Sequence, residues 1–208
     1  MSRPKNQTDR RSTLVLAAQS VIAKHGLPAA TLGEIAREAG MTANALLYYY
    51  PGLKELLDEV QTQAVERFSS LRAAACAHLK DPRQRLKTMM ESGLPIGPED
   101  KLCRLLEELS VYARSDASYA ARHIVLFERQ VAIYQGILAA GAATGVFKLQ
   151  ATSDTIARSL VLLEDGMSFH LLNVVPAVDR ASALAMLKNY AELATHCRLD
   201  KTPGKASD

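Results

Sequence analysis

Apolar residues in the first part of the chain recur with a helical period. From Thr13 onward Leu14, Ala17, Ala18, Val21 and Ile22 fall at three- and four-residue spacing, while Arg10, Arg11, Gln19 and Lys24 lie off that face. Gly26 follows the last periodic residues and predicts the C′ position of that helix. Thr31 then offers an N-cap, with Glu34 three residues on to complete a capping box. The helix it opens, over 32–39, buries Leu32, Ile35, Ala36 and Ala39 and closes at Gly40. Thr42 caps a third short helix that runs through Ala45 and Leu46 to about Tyr49, and Pro51-Gly52 ends it. No strand-like alternation interrupts this region.

Beyond Leu53 the helical segments lengthen. The pattern predicts a helix over 53–79, bounded by Asp81-Pro82, and another over 83–92 that ends in the breakers at 93–98. Further helices follow over 99–114 and 116–140, the second ending in the glycine-bearing stretch 141–145. Ser153 or Asp154 caps a strongly apolar helix to 172; after Pro176, Asp179 caps a last one to about 197. The polar tail 199–208, with Pro203 and Gly204, reads as disordered. The fold class is therefore all-α. A three-helix domain over 1–52 precedes a larger helical domain over 53–198, without internal repeats or low-complexity tracts.

Composition agrees. The 208 residues are 48% hydrophobic and long enough to bury a sizeable core. Aromatics are only 5%, tryptophan is absent, and Ala and Leu dominate, which favours helices over strands. A net charge of +3 excludes an acidic disordered chain and is too small by itself to mark a nucleic-acid binder. Its distribution says more. Residues 1–54 hold seven basic and three acidic side chains, a net of +4, whereas 55–208 hold 18 and 19, a net of −1. A basic module on a neutral body is the footprint expected where a small domain meets phosphates; charge alone fits a solvated basic tail equally well.

No apolar run approaches the roughly 18 residues of a membrane helix, so no membrane partner is expected. The basic N-terminus lacks an uninterrupted apolar stretch and a small-residue cleavage site, and so is not a signal peptide. Cys76, Cys103 and Cys197 are odd in number and far apart, and read as small apolar residues in a reducing cytoplasm. Neither metal nor cofactor is implied.

Two short helices joined by Ala39-Gly40-Met41 form a helix-turn-helix pattern over 31–51. The glycine permits the sharp turn, Ala36 and Ala39 let the helices approach, and Ile35 and Leu46 hold the pair against the first helix. The second helix is then free to lay its N-terminal residues in a major groove. Through Ala17, Ala18, Gly26, Thr31, Leu32, Ile35, Ala36, Ala39, Gly40, Thr42, Leu46, Tyr49, Pro51, Leu56 and Leu57, the segment 10–57 resembles the TetR family of bacterial transcriptional regulators. The remainder resembles that family only in architecture, with Leu163-Glu164-Asp165-Gly166 inside an apolar helix. There are departures. Leu47 stands where the family usually has tyrosine, and Tyr48 and Tyr50 stand where it more often has His and Phe. The family's phosphate-contacting lysine falls most often at the Leu53 position, and here Lys54 comes one residue later.

Helix-turn-helix geometry assigns Thr42, Ala43 and Asn44 to the start of the recognition helix. Asn44 is the best candidate for base readout, because its amide pairs bidentately with adenine. Thr31, at a helix N-terminus, is a candidate phosphate contact beside its capping role. Tyr48 and Tyr49 offer hydroxyls to phosphate, and Arg10, Arg11, Arg37 and Lys54 supply non-specific attraction.

A helix-turn-helix protein gains specificity by dimerising, and the last two helices are the candidate interface: Leu160, Leu163, Gly166, Met167 and Leu171 on one, Leu184, Leu187 and Tyr190 on the other. The resemblance implies a four-helix bundle between subunits. It also implies a repressor of a palindromic double-stranded operator, released when a small molecule enters the body and respaces the DNA heads. Met89, Met90, Leu105, Leu109, Tyr112, His123, Phe127 and Phe169 lie on the helices that usually line such a pocket; a Met-rich apolar lining suits a hydrophobic or amphipathic inducer. A helical-bundle enzyme or an interaction adaptor stands as the alternative. The five histidines show no HExxH spacing, and no nucleophile elbow or phosphate-binding loop is present.

Overall fold

Several helix starts coincide with capping side chains. In the computed structural model, which describes residues 4–200, the chain forms α1 (Pro4–His25), α2 (Leu32–Glu38), α3 (Ala43–Leu47), α4 (Leu53–Ala77), α5 (Pro82–Gly93), α6 (Lys101–Ser110), α7 (Ala117–Ala143), α8 (Ser153–Leu172) and α9 (Arg180–Thr195). No strand occurs among the described residues. Thr31, Thr42, Asp81 and Asp179 each accept a backbone N–H of the helix they open, and Asp179 with Ser182 forms a complete capping box.

Several details differ from the sequence reading. Helix α1 begins at Pro4 rather than near Thr13, because its polar first turns need no core: Ser12 and Thr13 hydroxyls bond back to the Thr8 and Asp9 carbonyls. At Thr31 only half of the expected box forms. Its hydroxyl caps Glu34 N–H, but its own N–H goes to the Ala29 carbonyl and the Glu34 carboxylate pairs with Arg37. The segment 99–114 is α6 followed by a 3₁₀ turn, Val111–Arg114. The cap of α8 is Thr152, which accepts Thr155 N–H at 3.1 Å, while Asp154 pairs with Arg158. Finally, Leu199 is buried and the exposed Asp200 pairs with Lys87 and Lys188, so the tail's first two residues are held by contacts; 201–208 lie outside the described residues.

Helix α7 also runs past Gly141, whose hydrogen face lies against Phe147: a Cβ there would fall 2.0 Å from the ring. No described helix is long and apolar enough to cross a membrane. Cys76 and Cys197 are buried and Cys103 half-buried.

Packing groups the described residues into two units. The first holds residues up to 68 together with 101–125, and the second holds 69–100 and those from 126 on, so α4 and α7 contribute to both. The core of the first unit joins Leu14, Ala18 and Ile22 of α1, Ile35 and Ala36 of α2, Leu46 of α3, Leu56 and Val60 of α4, and Leu105 and Leu109 of α6. In the second unit Leu86, Met89 and Met90 of α5, Ile137 of α7, Leu160 of α8 and Leu187 of α9 are packed together.

Candidate functional site

The turn between α2 and α3 is made by one glycine. Gly40 adopts φ +65°, Met41 N–H bonds to the Ala36 carbonyl at 2.8 Å, and Gly40 N–H bonds to Arg37 at 3.1 Å. That pair of bonds is a Schellman termination, which requires the left-handed residue that glycine supplies without strain. The chain then enters α3 through extended Thr42, whose hydroxyl accepts Ala45 N–H at 3.2 Å.

Helix α3 is divided by face. Leu46 and, just beyond the helix, Tyr50 are buried in the first unit's core, while Thr42, Ala43, Asn44 and Leu47 are exposed and Tyr48 is 70% exposed. Tyr49 is half-buried, edge-on to Tyr48 at 5.1 Å. Thr31, Arg10 and Arg37 are exposed as well. The helix thus presents a short polar and aromatic strip from a fixed apolar seat.

Arg11 and Lys54 have partners that sequence reasoning did not find. Arg11 donates to the Tyr49 carbonyl at 2.9 Å, pairs with Glu59 and lies 4.2 Å over the Tyr50 ring. Glu59 also accepts the Tyr50 hydroxyl at 2.8 Å, and burial together with that carboxylate raises the phenol pKa. Arg11 therefore pins the segment just beyond α3 to α1 and α4. Lys54, on the first turn of α4, contacts Asp116 at 3.1 Å, Asp58 at 3.4 Å and the Ser118 hydroxyl at 2.9 Å. The bond to Asp116 holds the ammonium pKa up, and Ser118, followed by Lys54, holds the Asp116 carboxyl far below its ordinary range.

The residues read as a ligand lining divide between the two units. Met89 and Met90 are buried in the second, with Phe127 half-buried there under the Arg158 guanidinium at 5.6 Å. Leu105 and Leu109 belong to the core of the first, where Tyr112 and His123 are exposed. Phe169 is exposed on α8. Among the interface candidates, Leu160 and Leu187 are fully buried within the chain; Leu163, Met167, Leu171, Leu184 and Tyr190 are half-buried and Gly166 is exposed.

The second unit also holds a buried polar cluster that the sequence reading missed. Arg72 Nη2 meets Glu164 Oε1 and Oε2 at 2.8 and 2.9 Å and the Met89 carbonyl at 2.8 Å, and Nη1 meets Gln130 Oε1 at 2.7 Å. Tyr134 donates its hydroxyl to Glu164. Burial pushes the Glu164 carboxyl up to about 7 against the pull of Arg72. The sequence signal is phase. Arg72 falls in register with buried Val65, Ser69 and Cys76, and Glu164 with Ala157, Leu160 and Val161. A charge on the apolar stripe of a helix marks a buried pair.

Two family profiles match the chain. "Bacterial regulatory proteins, tetR family" matches residues 14–60, and "BetI-type transcriptional repressor, C-terminal" matches residues 82–196. The chain is 26% identical over 190 residues to the HTH-type transcriptional regulator BetI of Agrobacterium fabrum strain C58, covering 88% of this chain and 87% of that one. A TetR transcription regulator from Haloarcula marismortui shares the fold with TM-score 0.82 at 22% identity, over 90% of this chain and 99% of that one. A transcriptional regulator from Saccharomonospora viridis, solved with choline, does so with TM-score 0.82 at 20% identity, over 89% and 96%.

Proposed function

The chain belongs to the TetR family of bacterial regulatory proteins and carries a BetI-type C-terminal domain, and on that premise we propose that it represses transcription as a homodimer on a palindromic operator and is released by a small molecule. The observation that carries DNA recognition is the two-faced α3. Leu46 fixes the helix from below, and Thr42, Ala43, Asn44 and Tyr48 stand exposed above it. Asn44 reads a base edge; Thr31 and the tyrosines hold phosphates.

The dimer reading is supported by what α8 and α9 leave outside. Leu162, Gly166 and Phe169 form one exposed stripe at helical spacing, and Met186 and Leu193 form another. Apolar residues repeated on two adjacent helices fit burial by a second copy, whose recognition helix would then lie one turn of duplex away, about 34 Å. The small molecule is hydrophobic or amphipathic. Choline in the Saccharomonospora relative makes a small quaternary ammonium the first compound to test.

Sedimentation of the purified chain, with selection of bound sequences from a random duplex pool, tests the reading. A dimer that enriches an inverted repeat is expected, and added choline or another small amphiphile weakens that complex. A monomer, or a dimer without sequence preference, overturns it.

A further inference from the structure

Lys54 is the first lysine or arginine after the recognition helix, and its ammonium faces three partners inside the chain. An ammonium has three donors. These meet Ser118 Oγ at 2.9 Å, Asp116 Oδ2 at 3.1 Å and the Asp58 carboxylate at 3.4 Å. All four residues belong to the first unit. A phosphate oxygen that engages Lys54 therefore competes with these partners for its ammonium.

The partners are arranged to give it up. Asp116 Oδ1 accepts Ser118 N–H at 2.8 Å and Ser118 Oγ at 2.6 Å, capping the start of α7. Asp58 pairs with Arg122 at 2.9 Å. Both carboxylates therefore keep a partner when Lys54 leaves. The lysine side chain is 53% exposed, so exchange opens no buried group. Exposed pairs of this kind shift an equilibrium only a few-fold, which makes the competition reversible.

We propose that Asp116 is a positioning residue that competes with the DNA backbone for Lys54. In the free protein it draws the ammonium to the N-terminus of α7; in the complex a phosphate takes the ammonium over. Duplex affinity is thereby set below what Lys54 alone would give, and DNA occupancy is linked to the first turn of α7. This rests on the DNA-binding reading above.

The test uses D116N, since asparagine caps a helix as well as aspartate and only the charge is lost. Wild type, D116N, K54A and the double variant are titrated with a mixed-sequence duplex of about 30 base pairs across a range of salt. K54A is expected to flatten the salt slope by about one phosphate contact. D116N is expected to tighten binding about two- to five-fold at low salt, and to change nothing in the K54A background. Equal tightening in both backgrounds is a general charge effect and overturns the proposal, as does no tightening by D116N or an unchanged slope in K54A. Failure of the wild type to bind any duplex overturns the DNA-binding reading itself, and is distinct from those results.

Discussion

Arg72 and Glu164, 92 residues apart in the chain, meet with guanidinium Nη2 against both carboxylate oxygens, their side chains 2% and 3% exposed. Tyr134, Gln130 and the Met89 carbonyl also bond to the pair, so one guanidinium ties α4, α5, α7 and α8 of the second unit. Desolvating both charges costs much of what their attraction returns. The pair therefore specifies one packing of these helices more than it adds stability.

Its two halves are not equivalent to mutation. E164Q leaves a buried guanidinium that cannot deprotonate, and a loss of about 3–5 kcal/mol is expected. R72M leaves a carboxyl that burial already pushes up to about 7 and that takes a proton instead, so it loses less. Without Arg72 the folded pKa of Glu164 rises further above its unfolded value. Stability of R72M is then fully present below the unfolded pKa, and is lost as pH rises through the folded one. Denaturant midpoints of both variants measured from acid to alkaline pH check this; an R72M midpoint that improves with rising pH refutes it.

Two glycines separate backbone strain from crowding. At Gly93 a Cβ would lie 2.2 Å from Glu164 Oε1 and 2.6 Å from Arg72 Nη2, so G93A forces the buried pair apart. At Gly40 nothing lies within 4 Å of a Cβ, and only φ +65° opposes a side chain. G40A should cost about 1 kcal/mol and G93A at least about 2–3 kcal/mol. Thermal unfolding decides the order.

What could be read from the sequence was local. The caps Thr31, Thr42 and Asp179 and the turn glycine Gly40 act on backbone groups within four residues of themselves, so their chemistry is written beside them. The exposed start of α3 followed from the helix-turn-helix pattern, with Leu46 turned to the core. Pairings across the chain were not legible, because a charge states its need for a partner and not which one. Arg11 looked like a surface cation until Glu59 and the Tyr49 carbonyl were near it, and Lys54 until Asp116 was. Leu160 and Leu187 shared the period of an interface stripe, but period does not tell core from contact; the outward apolar residues are their near neighbours Leu162 and Met186.

Arg10 and Arg11 are adjacent and do different things. Arg10 is exposed, so R10A should reduce the salt slope of duplex binding and leave unfolding unchanged. Arg11 holds Tyr49, Tyr50 and Glu59 together, so R11A should lower thermal stability and weaken binding by misplacing α3. Reversed effects in paired melting and salt titrations would contradict this division.

On the proposed reading, Asn44 sets sequence preference without carrying the fold. It is exposed, and the cap of α3 is made by Thr42, so N44A should leave stability within about 0.5 kcal/mol. Loss of a bidentate amide–adenine contact costs about 1–3 kcal/mol of discrimination at one base pair. Binding to a selected operator should fall while binding to scrambled duplex holds. Equal loss on both would assign Asn44 to the backbone.

The exposed stripe on α8 and α9 separates assembly from folding. Phe169 and Leu193 are 55% and 66% exposed, so an aspartate at either meets water in the single chain. F169D or L193D should leave helix content and the second unit's core intact. In a dimer the same charge is buried against an apolar face, which costs several kcal/mol unless paired. Sedimentation should therefore shift to monomer at micromolar concentration, and operator affinity should fall at least about ten-fold as half-sites are bound singly. Leu160 gives the contrast: it is fully buried within the chain, so L160A opens a cavity and should cost about 2–5 kcal/mol in unfolding. Its dimer should persist wherever the chain stays folded. A dimer unaffected by both aspartates would move the interface off this face.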